Sequence, residues 1–243
     1  MILAIDIGNT NIVFGLFKGK KLVKSWRFAT YKYTLPQIKG LAQIVICSVV
    51  PKIDRSFKEK IKIKYGIEPF FVTAYNIPLN IKLKNKNEIG ADRIVDAYAA
   101  LELYGAPVIV VDFGTATTFD VISKNKDYLG GAITPGIMLA RDALHERTAK
   151  LPKVEVKMPK LLIGNDTVSA MQSGLYYGYI ALVEGMIAKL KAQSSKLKSA
   201  NVIATGGLAS LICKGTRVID TIDMNLTLKG LYLIGVNNVR RIK

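Results

Sequence analysis

The chain opens on an unbroken apolar run, Met1-Ile2-Leu3-Ala4-Ile5, the pattern of a strand buried on both faces. Asn11–Lys18 reads as a second strand. A Lys18-Gly19-Lys20 turn leads to a third, Lys21–Phe28, and the set predicts an antiparallel meander. Ile44–Val50 is another buried strand, stopped by Pro51. Asp54–Lys64 places Phe57 and Ile61 four apart, as an amphipathic helix requires, and Phe70-Phe71-Val72 is a short strand. Ala91–Tyr104 brings Ile94, Val95, Tyr98 and Leu101 round at helical intervals before Gly105 and Pro107 break the pattern.

The second half restarts this programme. Pro107–Val111, Thr117–Ser123 and Tyr128–Thr134 read as strands, with Lys124-Asn125-Lys126-Asp127 as the turn between the last two. Gly136–Ala149 follows Pro135 as a helix, and Lys153–Pro159 is basic and loop-like. From Asp166 to Ala192 a long helix carries Val168, Met171, Leu175, Tyr179, Leu182, Met186 and Leu190 on one face. That length suits a core crossing or a subunit interface. Asn201–Thr205 is a late strand ending in Gly206-Gly207, and Leu228–Asn238 a final helix. Two meander-plus-helix halves result, residues 1–105 and 106–243, divided near Gly105-Ala106-Pro107.

Composition narrows the class. With 243 residues, half of them hydrophobic, the chain can build a substantial core. No apolar run is long enough to span a membrane, and the short apolar start running into Asp6 does not resemble a signal peptide, so a cytoplasmic protein is expected. Two cysteines, Cys47 and Cys213, and one histidine, His145, fall short of a Cys/His zinc site. His145 lies in Arg141–Arg147, an ordinary polar helix face, and reads as a surface residue rather than a hydrolase base. The net charge of +17 raises nucleic-acid binding as a rival reading. Its lysines are spread along the chain, with neither an arginine-rich arm nor aromatic interleaving, so solvated surface is favoured.

The chemistry sits at strand ends. Asp6-Ile7-Gly8-Asn9-Thr10-Asn11 follows the first strand, and Asp112-Phe113-Gly114-Thr115-Ala116-Thr117 follows Val108–Val111. Glycine lets the backbone approach a ligand closely, and backbone N–H groups and threonine hydroxyls can line phosphate oxygens. A carboxylate beside a polyphosphate is repelled unless a cation lies between them, so both acids suggest cation duty. Taken singly, Asp6 is equally well read as an Asx residue forming the turn. Neither a G-x-x-x-x-G-K-[ST] loop nor a G-x-G-x-x-G fingerprint is present. Gly206-Gly207 ends a further strand. Gly90-Ala91-Asp92-Arg93 opens a helix with an acid, itself favoured there by the helix dipole, beside a guanidinium that can fork onto a carboxylate or phosphate.

These motifs, in order, resemble the type III pantothenate kinases, of the superfamily that holds acetate kinase, sugar kinases, heat-shock chaperone ATPases and actin. The resemblance runs over essentially the whole chain. It rests on Asp6–Thr10, Gly90–Arg93, Asp112–Thr117, Gly130-Gly131-Ala132-Ile133-Thr134-Pro135-Gly136, Thr148-Ala149-Lys150-Leu151-Pro152, Gly164-Asn165-Asp166-Thr167 with Ser173-Gly174, and Thr205-Gly206-Gly207. It implies an α/β fold of two ribonuclease-H-like (actin-like ATPase) domains, mixed β-sheets flanked by helices, with ATP and pantothenate between them, and usually a homodimer.

Carried over by motif, Asp6, Ile7, Gly8, Asn9, Thr10, Asn11, Ile12 and Val13 contact the ATP phosphates and the divalent metal, Mg2+ or another, with Asp6 orienting that metal. Gly90, Ala91, Asp92 and Arg93 bind pantothenate, Asp92 as general base. Asp112 holds K+ or NH4+, Thr115 contacts ATP, and Thr167 contacts pantothenate. Leu83 stands where family members often place tyrosine, and Lys86 where they place proline. The implied activity is ATP-dependent phosphorylation of pantothenate to 4'-phosphopantothenate, the first step of coenzyme A synthesis. The alternatives are a kinase of this fold acting on another small alcohol and a non-catalytic transcription accessory factor.

Overall fold

The apolar run at the start forms β1 (Ile2–Ile7) at the middle of a sheet. It pairs antiparallel with β2 (Asn11–Lys18) and parallel with β4 (Gln43–Ser48), and β2 pairs antiparallel with β3 (Lys21–Ala29). The short β5 (Phe70–Phe71) completes the order β3-β2-β1-β4-β5. The computed structural model describes the backbone of residues 1–242 and side chains as far as Asn238. Among the described residues no helix is long and apolar enough to cross a membrane.

Alternation along these strands sends two sets of side chains to opposite faces. Leu3, Ile5, Ile7, Ile12, Phe14, Ile44 and Ile46 form one core with Phe57 and Ile61 of α1 (Pro51–Tyr65). Pro51, which stops the strand, is also the first residue of that helix, where its missing N–H costs nothing. A two-residue strand β6 (Asn80–Ile81) and a 3-10 turn at Lys86–Glu88 lead to α2 (Ala91–Tyr104), whose bounds match the periodic segment.

The second sheet repeats the first. β7 (Val108–Phe113) pairs antiparallel with β8 (Ala116–Ile122), β8 with β9 (Asp127–Pro135), and β7 parallel with β10 (Asn201–Thr205), which pairs in turn with β11 (Thr221–Ile222). Within this six-stranded sheet the run β9-β8-β7-β10-β11 reproduces the order of the first sheet. Ile109, Val111, Phe113, Phe119 and Val121 pack with Met171, Leu175, Tyr176, Tyr179 and Val183 of α4 (Thr167–Ala192), so the long helix is the lid of this core. Asp166 and Ser169 cap it reciprocally, side chain to backbone in both directions. α3 (Ile137–Arg147) and the short α5 (Ala209–Ile212) complete the layer.

By contacts the chain falls into two units, Met1–Leu103 together with the segment from Asn225, and Tyr104–Met224. The sequence division at residue 105 ran the second half on to residue 243; the last helix, α6 (Leu226–Ile242), instead lies on the first sheet. The reason is packing. Leu228 rests on the bare backbone of Gly15, Tyr232 stacks on Phe17 at 4.7 Å between ring centroids, and Gly235 lies against Val45. The fold class is α/β as the motifs implied: two mixed sheets, each with helices against it.

Candidate active site

In the first unit the functional groups gather where β1 ends. The β1–β2 turn is closed by the Gly8 N–H donating to the Asn11 carbonyl at 2.9 Å. It is strapped by Thr30, the residue that follows β3. That buried threonine donates its hydroxyl to the Gly8 carbonyl (2.6 Å) and its backbone N–H to the Thr10 carbonyl (3.1 Å). Asn9 and Thr10 are exposed at the tip. Ile7 and Ile12 are fully buried in the core, so of these two only main-chain groups can meet a ligand.

Asp6 lies between Val13 on β2 and Cys47 on β4 in the cross-strand register. The Cys47 thiol donates to Asp6 Oδ1 at 3.3 Å. Burial, and next the negative charge of Asp92, raise the Asp6 carboxyl to about 6, while the thiol and Arg27 pull the other way. The Cys47 thiol is pushed well up, first by burial and then by the charges of Asp6, Asp92 and Asp96. The structure thus brings Asp6 and Asp92 within electrostatic reach of each other. Asp92 stands in the first turn of α2 and accepts the Arg93 backbone N–H at 2.8 Å. A Cβ on Gly90 would lie 2.5 Å from Asp92 Oδ1 and 3.5 Å from Val49, so glycine leaves the approach to that carboxylate open.

Two carboxylates that oppose each other's ionisation fit a divalent cation. Magnesium uses one or two protein carboxylates and takes its other ligands from phosphate and water. Among the described residues no group of three or more His, Cys, Asp or Glu could hold a metal by itself.

In the second unit Asp112, the last residue but one of β7, lies between Thr118 on β8 and Thr205 on β10. Thr118 donates its hydroxyl to Asp120 Oδ2 at 3.0 Å, and Tyr128 donates to Asp120 Oδ1 at 2.5 Å. The turn is tighter than in the first unit: the Gly114 N–H reaches the Ala116 carbonyl (3.1 Å), and the Gly136 N–H the Thr115 carbonyl (3.1 Å). Gly206, at φ +89°, packs so closely on this strand end that a Cβ would overlap Asp112 Oδ1 and come within 2.6 Å of the Phe113 nitrogen. Oxygen donors around one carboxylate suit a hard cation. Thr115 is exposed at the turn, and Thr167 is exposed at the first position of α4. His145 is an exposed helix residue with Nδ1 2.9 Å from the Leu151 carbonyl.

Thr30, Cys47 and Arg27 were not singled out by the sequence. Each acts on Asp6 or its turn from a neighbouring strand, a relation that pairing register creates and chain order hides.

Comparison with known proteins gives the family. The family model of the type III pantothenate kinases matches residues 2–189, a span that holds both acid-glycine turns and Gly90–Arg93. A type III pantothenate kinase of Halalkalibacterium halodurans is 46% identical, over 98% of this chain and all of that protein. Among solved structures, a conserved Baf family protein from Campylobacter jejuni, named as a transcriptional activator, superposes with a TM-score of 0.66 at 21% identity, over 98% of this chain and 99% of that one. The Lmo2764 protein from Listeria monocytogenes, named as an N-acetylmannosamine kinase, does so with a TM-score of 0.54 at 14% identity, over 98% and 99%. At such identities the two structures speak for the fold alone. The family model and the close relative speak for more: this chain belongs to the type III pantothenate kinase family.

Proposed function

We propose that this protein transfers the terminal phosphoryl group of ATP to the primary hydroxyl of pantothenate, giving 4'-phosphopantothenate for coenzyme A synthesis. One observation carries the reading: family membership in a chain whose Asp6 and Asp92 lie in mutual electrostatic reach beside a glycine-opened approach.

Asp92 takes the hydroxyl proton while the substrate oxygen bonds to the γ-phosphorus and the bond to the bridging oxygen breaks. Gly90, Ala91, Arg93 and Thr167 position pantothenate. The backbone of Gly8–Asn11, the Thr10 hydroxyl and Thr115 hold the phosphates, and Asp6 orients the divalent ion. That ion, when bound, draws charge from the phosphoryl oxygens. Asp112, with the hydroxyls of Thr118 and Thr205 beside it in register, is the place for potassium or ammonium.

The reading places the reaction in the cytoplasm. A homodimer is supported by Leu161, Leu162 and Ile163, 65–84% exposed in succession just before α4; light scattering that gives a monomer's mass ends that part.

A coupled assay of ATP consumption over pantothenate and related primary alcohols, with and without potassium, tests the reading. Pantothenate should be the preferred acceptor and potassium should stimulate. The same panel tests a kinase for another small alcohol, which half-buried Leu83 favours, since it offers no hydroxyl where the family often has tyrosine. Preference for another acceptor decides for that kinase.

A further inference from the structure

Four residues stand in one cross-strand row of the first sheet: Cys47 on β4, Asp6 on β1, Val13 on β2 and Arg27 on β3. Directly opposed residues share a face, so all four side chains leave the sheet on the same side. That side is not the Phe57 core. Trp26 and Phe28, the neighbours of Arg27 in sequence, pack toward that core, and Phe28 meets Phe14 edge-on.

Arg27 is two strands from Asp6, roughly 10 Å between backbones. Its side chain is exposed, and among the described residues it makes no ion pair within 4 Å. Its charge nonetheless reaches the Asp6 carboxylate and favours the ionised form. The next same-face pair along the ladder is Asn11 and Ala29. Asn11 belongs to the phosphate turn, and Ala29 is too small to screen it from Arg27.

The charge balance demands such a group. A nucleotide at this turn brings several negative charges toward two acidic side chains, Asp6 and Asp92. One divalent ion offsets part of this. A guanidinium on the same face, with its fork uncommitted, matches two phosphoryl oxygens.

We propose that Arg27 is a phosphate-binding residue that forks onto the terminal phosphate of the nucleotide held by the Gly8–Asn11 turn. The assignment rests on the kinase reading above but is tested apart from it.

Calorimetry with a non-hydrolysable ATP analogue and with ADP, each with magnesium, is run on the parent, Arg27→Gln and Arg27→Lys, beside steady-state kinetics. Arg27→Gln should bind the triphosphate about 10- to 100-fold more weakly, the loss expected for a charged hydrogen-bonded contact, and ADP within about threefold of the parent. Its KM for pantothenate should hold while kcat falls, and Arg27→Lys should recover part of the affinity because charge returns without the fork. Since Arg27 is exposed, the melting temperature should not move. Triphosphate affinity and kcat both within threefold of the parent would overturn the assignment. So would an equal loss of ADP and triphosphate, or a rise confined to the KM for pantothenate. If the parent proves to use another acceptor, the binding measurements still read Arg27, and the two ideas fail separately.

Discussion

Asp6 and Asp112 stand one residue from the ends of matching strands in two sheets that share a five-strand order, each two residues before a glycine, yet their surroundings differ in kind. Asp6 is flanked by Val13 and Cys47, lies in the field of Asp92, and has its carboxyl raised to about 6 by burial and that charge. Asp112 is flanked by Thr118 and Thr205. The first turn spans four residues and is strapped by one buried threonine; the second spans three and is clamped by close glycine backbones. One duplicated motif has thus become two devices. A carboxylate among apolar and acidic neighbours gains most from a multivalent cation, and one among hydroxyls can share a single charge. What the strand carries matters less than what the adjacent strands place beside it.

The largest test of this contrast is catalytic. If the proton acceptor belongs to the first unit alone, Asp92→Asn should retain nucleotide binding and lose turnover by about 10²- to 10⁴-fold, as removal of a general base does. Asp112→Asn should cost less and remove the response to potassium. Turnover near the parent's in Asp92→Asn takes that residue out of the role of base.

The next test is conformational. Gly206→Ala must place a methyl on Asp112 Oδ1 and the Phe113 nitrogen at a φ of +89°. The expected loss is about 3 kcal/mol, the left-handed backbone and the overpacking together. Gly8→Ala meets only the Asn11 carbonyl, at 3.2 Å, and Gly8 has no positive φ. It should cost about 1 kcal/mol or less. Denaturant midpoints of the two variants read the difference directly. Equal losses would mean that the two turns are held alike.

Much of this was legible in the sequence because it is local. Ala91–Tyr104 could be bounded by periodicity and its flanking glycines, and Asn201–Thr205 by an apolar run stopped at Gly206. The seven motifs in order gave the family that the comparisons found. What escaped was set by pairing and packing. Cys47 lies 41 residues from Asp6 in the chain and beside it in the sheet, joined by a parallel register that no spacing encodes. Thr30 looks like one more hydroxyl after a strand until its two bonds to the Gly8–Thr10 turn are seen. The return of α6 to the first sheet depends on Leu228 and Tyr232 fitting Gly15 and Phe17, a match between distant surfaces.

The smallest effect concerns stability and follows from Asp6 alone. Its carboxyl titrates at about 6 in the folded chain against 3.8 ordinarily, chiefly because burial disfavours the charged form. The folded state therefore holds a proton between pH 4 and 6 that the unfolded state has released. Stability from this group is complete below pH 4, declines as the pH rises through 6, and is absent at pH 7. Two pKa units would be worth about 3 kcal/mol in full, and because Asp6 is partly exposed the working value is on the order of 1–2 kcal/mol. In Asp6→Asn, with no proton to lose, that part of the slope should vanish. Urea midpoints of the ligand-free parent and variant at pH 5 and pH 7 separate them: the parent should lose more than the variant between the two. Parallel losses would show that Asp6 is as well solvated as an ordinary surface acid and that its turn is no different in kind from the one at Asp112.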